Sequence, residues 1–280
     1  MLFTTPPAPS PPDGTQERSM FAHAHAYEPF MGRWSRRLAP QFVEFAGVQA
    51  GESVLDVGSG TGALAAVVVD MVPRAQVIGV DAAPAYLATA RMRAPKGVRF
   101  MIGDAEALDF ADDTFQRSLS LLSLNFVRDP ARAVAEQIRV TQPGGVVAGA
   151  VWDYGDGMKM LRIFWEEAVA IDPKAAACDE RTMPLSRHLQ LSTLWLSQGL
   201  LEVGERPLEI EQRFHSFDDF WLPFLGGQGP AGTYVASLSE NARNALRERL
   251  RLRLFDGERE TPFVMSARAW AVKGYVPARR

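Results

Sequence analysis

The 280-residue chain has little cysteine and histidine and no excess of one charge. Cys178 is the only cysteine, which excludes an intrachain disulfide, a zinc-thiolate cluster and an iron–sulfur site. A chain this poor in cysteine suits a reducing cytoplasm, and we predict a cytoplasmic location and no bound metal. The 30 Lys+Arg against 33 Asp+Glu give a net charge of −3. We therefore expect no nucleic-acid partner, because no basic field is present to attract one.

Long apolar runs are also absent. The longest, residues 63–69, is far shorter than the ~18 residues that a membrane span requires, so we predict no span. The N-terminus has no basic start followed by an apolar block, so we predict no signal peptide. Residues 1–20 instead begin with a proline-rich stretch followed by polar residues, and we predict a disordered leader there. The chain as a whole is 47% hydrophobic and 22% charged, which is typical of a globular protein with a core.

Strand and helix patterns alternate in the first half of the chain. Short apolar runs predict five strands at 53–57, 76–80, 98–102, 115–121 and 146–152, and helices between them at 61–71, 84–92 and 130–140. The helix at 130–140 has a clear start, with Asp129 as N-cap and Pro130 in the first turn. Another amphipathic helix precedes the first strand. This alternation predicts an α/β fold with a doubly wound parallel sheet.

The second half is less regular. Helices are predicted at 158–171, 189–197 and 217–224, and strands at 201–214 and 263–272 that would complete the edge of the sheet. Ser216, with Asp219 three residues on, is the predicted cap of the helix at 217–224. Residues 215–262 would then be an insertion between these two strands. A glycine cluster at 226–230 lies in the insertion and is interpreted as a surface turn, with a hinge as the alternative.

One motif combines a glycine-rich turn with two acids. Gly58, Gly60 and Gly62 follow the first predicted strand and precede a helix, where they allow a tight turn and a close approach of ligand to backbone. Asp81 ends the second strand, at the distance where an acid accepts hydrogen bonds from ribose hydroxyls. A cap on the following helix is its other possible role. Together these features predict a cofactor that contains adenosine.

Asp56, just before the glycine turn, bears on which cofactor binds. The spacing of Gly58, Gly60 and Ala63 also fits a nicotinamide dinucleotide. An unpaired carboxylate near the turn would however repel the pyrophosphate. S-adenosylmethionine carries an ammonium and a sulfonium, which a nearby carboxylate attracts, and we therefore predict this cofactor.

These residues resemble a known family. The motif from Asp56 to Gly62, Asp81, the segment 103–106 and the segment 143–145 resemble the class I S-adenosylmethionine-dependent methyltransferases, in particular small-molecule enzymes similar to ubiquinone/menaquinone C-methyltransferases. The resemblance covers residues 27–152, the cofactor-binding half. It implies one domain over 21–280 with a Rossmann-like seven-stranded sheet, an antiparallel last strand at 263–275 and a helical N-terminal cover. Residues 153–262 would shape the acceptor side.

The resemblance also implies roles for individual residues. Those expected at the methionine end of the cofactor are Asp56, Gly58, Ser59, Gly60 and Gly62. Those expected at the ribose and adenine are Asp81, Ala82, Asp104 and Ala105. Ser120 and Leu121, at the end of the fourth strand, would line the reactive side.

Candidates for the substrate side come from three places. The N-terminal segment, which covers the cofactor in the resembling family, offers Tyr27, Met31, Arg33 and Trp34. Asn125 stands where the family commonly has a histidine, and Trp152 follows the fifth strand at the edge where open α/β sheets bind ligands. Next to it, Asp153 is a candidate to orient or deprotonate the acceptor, with a turn carboxylate as the alternative. The many aromatic residues beyond 153 favour an apolar or aromatic acceptor.

The fourth predicted strand departs from the family pattern at its start. Gln116 and Arg117 are polar where family members often have an aspartate and an apolar residue. Either the strand begins later, near Leu119, or Arg117 is paired.

The sequence predicts methyl transfer to a small organic acceptor, with O-, N- and C-methylation all open. Two alternatives remain: a non-catalytic S-adenosylmethionine-binding regulatory or scaffolding module, and an NAD-dependent oxidoreductase. We expect a monomer or homodimer. The stripe of Arg243, Arg247 and Arg251 is interpreted as a solvated helix face.

Overall fold

A seven-stranded sheet organises residues 24–278, the part of the chain that our computed structural model describes; the predicted leader at 1–20 lies outside it. The strands are β1 Ser53–Val57, β2 Gln76–Asp81, β3 Val98–Ile102, β4 Phe115–Leu121, β5 Thr141–Trp152, β6 Leu201–Phe214 and β7 Phe263–Tyr275. Their order is β3-β2-β1-β4-β5-β7-β6. Strands β1 to β5 pair in parallel, and β7 is antiparallel to both neighbours. The predicted α/β fold with an antiparallel last strand is confirmed.

Helices connect the strands much as the sequence predicts. They are α1 Ala24–Tyr27, which continues as a π-helical turn over Glu28–Gly32, then α2 Arg33–Ala46, α3 Ala63–Met71, α4 Pro84–Met92, α5 Pro130–Val140, α6 Lys159–Ile171, α7 Gln190–Ser197, α8 Phe217–Trp221, α9 Gly229–Ser237 and α10 Glu240–Phe255. Asp129 caps α5, because its side chain accepts a hydrogen bond from the backbone N–H of Arg132 at 3.0 Å. Ser216 caps α8 in the same way. Both predicted caps are present.

Strand β5 begins five residues earlier than predicted. Its pairing with β4 moves from Phe115 opposite Thr141 directly to Arg117 opposite Val146, so residues 142–145 form a bulge. The backbone N–H of Gly144 donates to the carbonyl of Val276 at 2.9 Å. The proline–glycine–glycine segment therefore interrupts the strand without ending it.

The polar start of β4 is explained by pairing. The strand begins at Phe115, and the guanidinium of Arg117 donates to both carboxylate oxygens of Glu52 at 2.8 and 3.1 Å. Gln116 accepts a hydrogen bond from the backbone N–H of Ser53 at 2.7 Å. Of the two possibilities that the sequence left open, the paired arginine is the one present. A half-buried charge in a parallel sheet needs such a partner.

The insertion between β6 and β7 is helical and packs an aromatic cluster against the sheet. Phe214 of β6 stacks on Phe263 of β7 at 5.0 Å between ring centroids, and Phe220 of α8 contacts Phe214 at 5.5 Å. On the outer side, α10 is tied by surface ion pairs, including Arg247 with Asp218 at 3.1 Å. No helix between residues 24 and 278 is both long and apolar enough to cross a lipid bilayer.

Replacing the cap of α5 tests the local account of this fold. We expect Asp129→Ala to lower the free energy of unfolding by about 1 kcal/mol, because the Arg132 N–H loses its acceptor. Asp129→Asn keeps a side-chain oxygen at the cap and is expected to retain nearly the full stability. Urea denaturation followed by circular dichroism measures both. Equal losses in the two variants would show that the cap does not stabilise the helix.

Candidate active site

The glycine turn after β1 has a backbone that only glycine adopts without strain. Gly58, Gly60 and Gly62 have φ angles of 74, 54 and 86°, in the left-handed region. A Cβ on Gly58 would lie 2.4 Å from the Ser123 side chain, and one on Gly62 would lie 2.7 Å from Phe100. The turn therefore packs directly against its neighbours, as the sequence motif predicts.

Asp81 joins this turn to the next helix. Its carboxylate accepts hydrogen bonds from the backbone N–H of Gly60 and of Ala83, each at 2.8 Å. Burial raises its pKa, and these two hydrogen bonds act in the opposite direction. The helix-start role that the sequence allowed is thus present. Each oxygen keeps a further acceptor site, so hydrogen bonds from a ribose remain compatible with the geometry.

Asp56 is a buried acid whose charge has no counterion. The residue is 1% exposed, and neither carboxylate oxygen makes a hydrogen bond of ordinary geometry to the described part of the chain. Burial raises its pKa to about 7, and the nearby Asp81 adds to this, while the Ala65 N–H in part offsets it. A buried carboxylate without a partner is costly. A ligand that brings a cation, such as the ammonium of S-adenosylmethionine, fits this position.

The other predicted cofactor residues lie at the carboxyl ends of β2, β3 and β4. Ala82 and Asp104 are exposed and Ala105 is half-buried; the Asp104 carboxylate accepts from the Glu106 N–H at 2.8 Å. Ser120 is buried and shares a hydrogen bond with the hydroxyl of Ser123 at 2.7 Å. The sheet therefore brings these positions to the same edge as the glycine turn.

A cavity lies beside this edge and is mostly apolar. The segments that follow β4 and β5 contribute Leu122, Phe126, Trp152 and Tyr154. The N-terminal segment contributes Tyr27, Phe30 and Met31. Such a concave apolar site with a few polar groups is typical of a small-molecule pocket. Of the predicted substrate-side residues, Tyr27, Met31 and Trp152 line it.

The N-terminal segment is attached to the glycine turn. Glu28 accepts a hydrogen bond from the hydroxyl of Thr61 at 2.5 Å, and it pairs with Arg36 and Arg93. The ring of Tyr27 lies 5.3 Å from that of Tyr86 on α4. These contacts place residues 27–32 over one side of the cavity.

Three predicted site residues are held elsewhere. Arg33 donates to the carboxylate of Asp219 at 2.6 Å, and Trp34 packs on the ring of Phe214 at 5.4 Å; both lie outside the cavity lining because α2 turns this face toward β6 and α8. Asp153 is 4% exposed and accepts two hydrogen bonds from Arg268 at 2.9 and 2.6 Å. This ion pair supports the turn-carboxylate alternative for Asp153.

Asn125 keeps a position close to the cavity. The residue is 4% exposed, and neither amide atom makes a hydrogen bond of ordinary geometry to the described residues. It interacts with the hydroxyl of Tyr154, whose pKa this interaction lowers while burial raises it more strongly. A buried amide with unused hydrogen-bonding capacity is a candidate to contact a bound molecule.

Sequence reasoning missed the residues that the second half contributes. Leu161 of α6, Glu180 and Gln228 line the cavity. Gln228 is 2% exposed and accepts a hydrogen bond from the Tyr86 hydroxyl at 2.9 Å. The glycine cluster at 226–230 is therefore part of the site, and the interpretation as a surface turn is wrong. The glycines that flank Gln228 were the one sequence feature that could have indicated a functional segment here. Nothing in the sequence showed that this segment packs against the cavity.

Comparisons with known proteins agree with this geometry. Residues 55–149 match the model of a family described as methyltransferase domain. These residues, about a third of the chain, are similar to that family. The demethylmenaquinone methyltransferase of Thermus thermophilus is 39% identical over 116 residues, which are 40% of this chain and 51% of that protein. The chain thus matches about half the length of this relative.

Two further matches extend beyond the residues of the family model. An uncharacterized protein of Mycobacterium tuberculosis is 28% identical over 218 residues, 73% of this chain and 74% of its own length. Among solved structures, phosphoethanolamine N-methyltransferase 2 of Haemonchus contortus, solved with S-adenosylhomocysteine, superposes with a TM-score of 0.57 at 18% identity, covering 91% of this chain and 57% of that one. This likeness shows a shared fold.

The buried charge of Asp56 makes a prediction about pH. Its folded pKa of about 7 lies above the ordinary value of 3.8, so the folded protein binds a proton there more tightly than the unfolded chain does. The contribution of Asp56 to stability therefore falls as pH rises from about 4 to about 7.

Asparagine cannot ionise. We therefore expect the free energy of unfolding of Asp56→Asn, relative to that of the unsubstituted protein, to rise by about 1 kcal/mol or more when the pH is raised from about 5 to about 8. Urea denaturation at both pH values measures the difference. The matched variant Asp70→Asn removes an exposed charge. Its free energy of unfolding is expected to differ from that of the unsubstituted protein by the same amount at both pH values. A pH-independent effect of Asp56→Asn would contradict the assignment.

Proposed function

We propose that the protein transfers a methyl group from S-adenosylmethionine to a small organic acceptor. The observation that carries this proposal is the buried carboxylate of Asp56, which has no counterion among the described residues and lies beside the glycine turn. The methyltransferase domain model, which matches these residues, supports the same reading. A dinucleotide would place a negatively charged pyrophosphate near Asp56, so the oxidoreductase alternative is disfavoured.

In this mechanism the cofactor supplies an activated methyl group on a sulfonium. Asp56 would face the ammonium of the methionine end, and Asp81 would accept hydrogen bonds from the ribose hydroxyls while it holds Gly60. Asp104 and Ala105 would contact the adenine. The cavity residues exclude water and orient the acceptor, and such positioning supplies most of the rate acceleration for an in-line displacement.

The acceptor that fits the cavity is apolar or aromatic. Phe30, Phe126 and Trp152 provide its walls, and aromatic side chains favour flat apolar ligands. The demethylmenaquinone methyltransferase of Thermus thermophilus, named for a quinone-type substrate, supports this class. We also propose a cytoplasmic location, which suits the free and exposed thiol of Cys178. A monomer or a homodimer is the expected assembly.

Calorimetric titration with S-adenosylmethionine, S-adenosylhomocysteine and NAD tests the proposal. We expect both sulfur nucleosides to bind and NAD not to bind. Asp81→Ala should weaken binding of the sulfur nucleosides by about 1–3 kcal/mol, because ribose hydroxyls lose their acceptor. The exposed Asp70→Ala is the matched control and should bind as the unsubstituted protein does.

Because Asp81 also holds the Gly60 and Ala83 amides, circular dichroism and a thermal midpoint must show that the variant is folded. If folded Asp81→Ala binds the sulfur nucleosides with unchanged affinity, Asp81 does not bind the ribose hydroxyls. Tight NAD binding without a response to the sulfur nucleosides would overturn the proposed function.

A further inference from the structure

The cavity has one acidic group. Glu180 lies in a short 3-10 turn over Glu180–Thr182, between α6 and α7, and it is 4% exposed. Among the described residues that line the cavity it is the one carboxylate; the other polar side chains of the lining are two tyrosine hydroxyls and the amide of Gln228. Glutamate is rarely buried without a partner or a task. Its place in the cavity therefore requires a reason.

The carboxylate is held in position from two sides. The indole N–H of Trp165, a fully buried residue of α6, donates to Oε2 of Glu180. The backbone N–H of Ala231 near the start of α9 also stabilises its charged form. A carboxylate accepts up to about four hydrogen bonds. With the backbone N–H of Glu180 itself, three protein donors thus orient the carboxylate and leave it able to accept one more hydrogen bond from a molecule in the cavity.

The surroundings of Glu180 keep its charge poorly compensated. Burial raises its pKa to about 7, and Asp179 adds to the shift. The nearby guanidinium of Arg162 on α6 instead pairs with Asp179 at 3.3 Å. The remaining ionisable groups around it are Cys178 and Arg181 on its own segment, Tyr154 after β5, Tyr27 of the N-terminal segment, Glu166 of α6 and Tyr234 of α9. None of these described groups forms an ion pair with Glu180.

The cavity also reaches the ends of β4 and β5, where we expect the reactive side of the cofactor. Leu122 lines it directly after β4, and Trp152 is the last residue of β5. Leu122 has a φ of 62°, an uncommon conformation for a leucine, and its N–H donates to the Ala150 carbonyl at 2.8 Å. The walls are thus fixed at the edge of the sheet where the proposed cofactor binds, with Glu180 on the side supplied by the second half of the chain.

We propose that the acceptor is an aromatic molecule with a phenolic hydroxyl, and that Glu180 binds this hydroxyl and takes its proton during methyl transfer to the oxygen. This inference rests on the proposed function. The bond from oxygen to the methyl carbon forms as the bond from sulfur to that carbon breaks, and the electron pair of the broken bond stays on sulfur. The phenolic proton moves to the carboxylate of Glu180 and then to solvent.

A phenol matches this site better than an aliphatic alcohol. A phenol has a pKa of about 10, as tyrosine does, so a carboxylate with a pKa of about 7 can take its proton as charge develops. General bases act most efficiently when their pKa lies near the working pH. The flat ring of the phenol is also the shape that Phe126 and Trp152 favour.

Methyl-transfer assays with phenol, catechol and 2-naphthol as probes test the proposal on the full chain. Benzyl alcohol serves as the aliphatic comparison, and labelled S-adenosylmethionine with mass spectrometry identifies the product. We expect methyl ethers from one or more of the phenols and none from benzyl alcohol. We expect kcat to fall as pH drops below about 7, since a protonated Glu180 cannot accept the proton.

Glu180→Gln separates a chemical role from a structural one. Glutamine keeps an oxygen for the Trp165 indole and the same size, so a purely structural role would leave kcat and its pH profile unchanged. We expect kcat to fall about 100-fold or more, the pH dependence near 7 to disappear, and the affinity for S-adenosylhomocysteine to stay the same. The exposed Glu209→Gln is the matched control and should behave as the unsubstituted protein.

The outcomes distinguish this inference from the function on which it rests. If the sulfur nucleosides bind but no phenol is methylated, or if Glu180→Gln keeps the rate and pH profile, the role of Glu180 is overturned and the proposed function stands. If aniline or another amine is methylated in place of the phenols, the acceptor class is overturned. If no sulfur nucleoside binds, the proposed function itself fails.

Discussion

Two acids at the carboxyl ends of neighbouring strands organise this site. Asp81 holds the glycine turn through the Gly60 N–H and the following helix through the Ala83 N–H, so one carboxylate fixes both sides of the cofactor edge. Asp56, close to it, has no counterion among the described residues. Burial raises the pKa of Asp56, and repulsion from the nearby carboxylate of Asp81 raises it further. A bound cation relieves both costs, which links folding of this edge to ligand binding.

The site is assembled from parts of the chain that lie far apart in sequence. The N-terminal segment reaches the glycine turn through Glu28 and Thr61, and α4 reaches the start of α9 through Tyr86 and Gln228. The cavity between them takes its walls from both halves of the protein. The methyltransferase domain model ends at residue 149. Glu180, which we propose to bind the acceptor, therefore lies outside the residues that this model matches.

Local signals predicted the fold well. Periodicity located the strands within a few residues, and the caps Asp129 and Ser216 lie where the sequence places them, because a cap depends only on its own turn. The bulge at 142–145 was missed, since a register shift depends on the partner strand. The sequence likewise did not indicate that Arg33 and Trp34 lie outside the cavity lining, because their partners Asp219 and Phe214 lie about 180 residues away in sequence.

By itself, the sequence determined the alternation of strands and helices, the glycine turn and the acids at the ends of β1 and β2. Parallel strands bring their carboxyl ends to one edge whatever the rest of the chain does. Tertiary structure alone decided which side chains enclose the cavity. No local pattern around Glu180 or Gln228 indicates that they line a cavity. The sequence likewise gives no sign that Asp153 pairs with Arg268 of β7. Burial and pairing are set by distant elements, and sequence patterns carry information only about near ones.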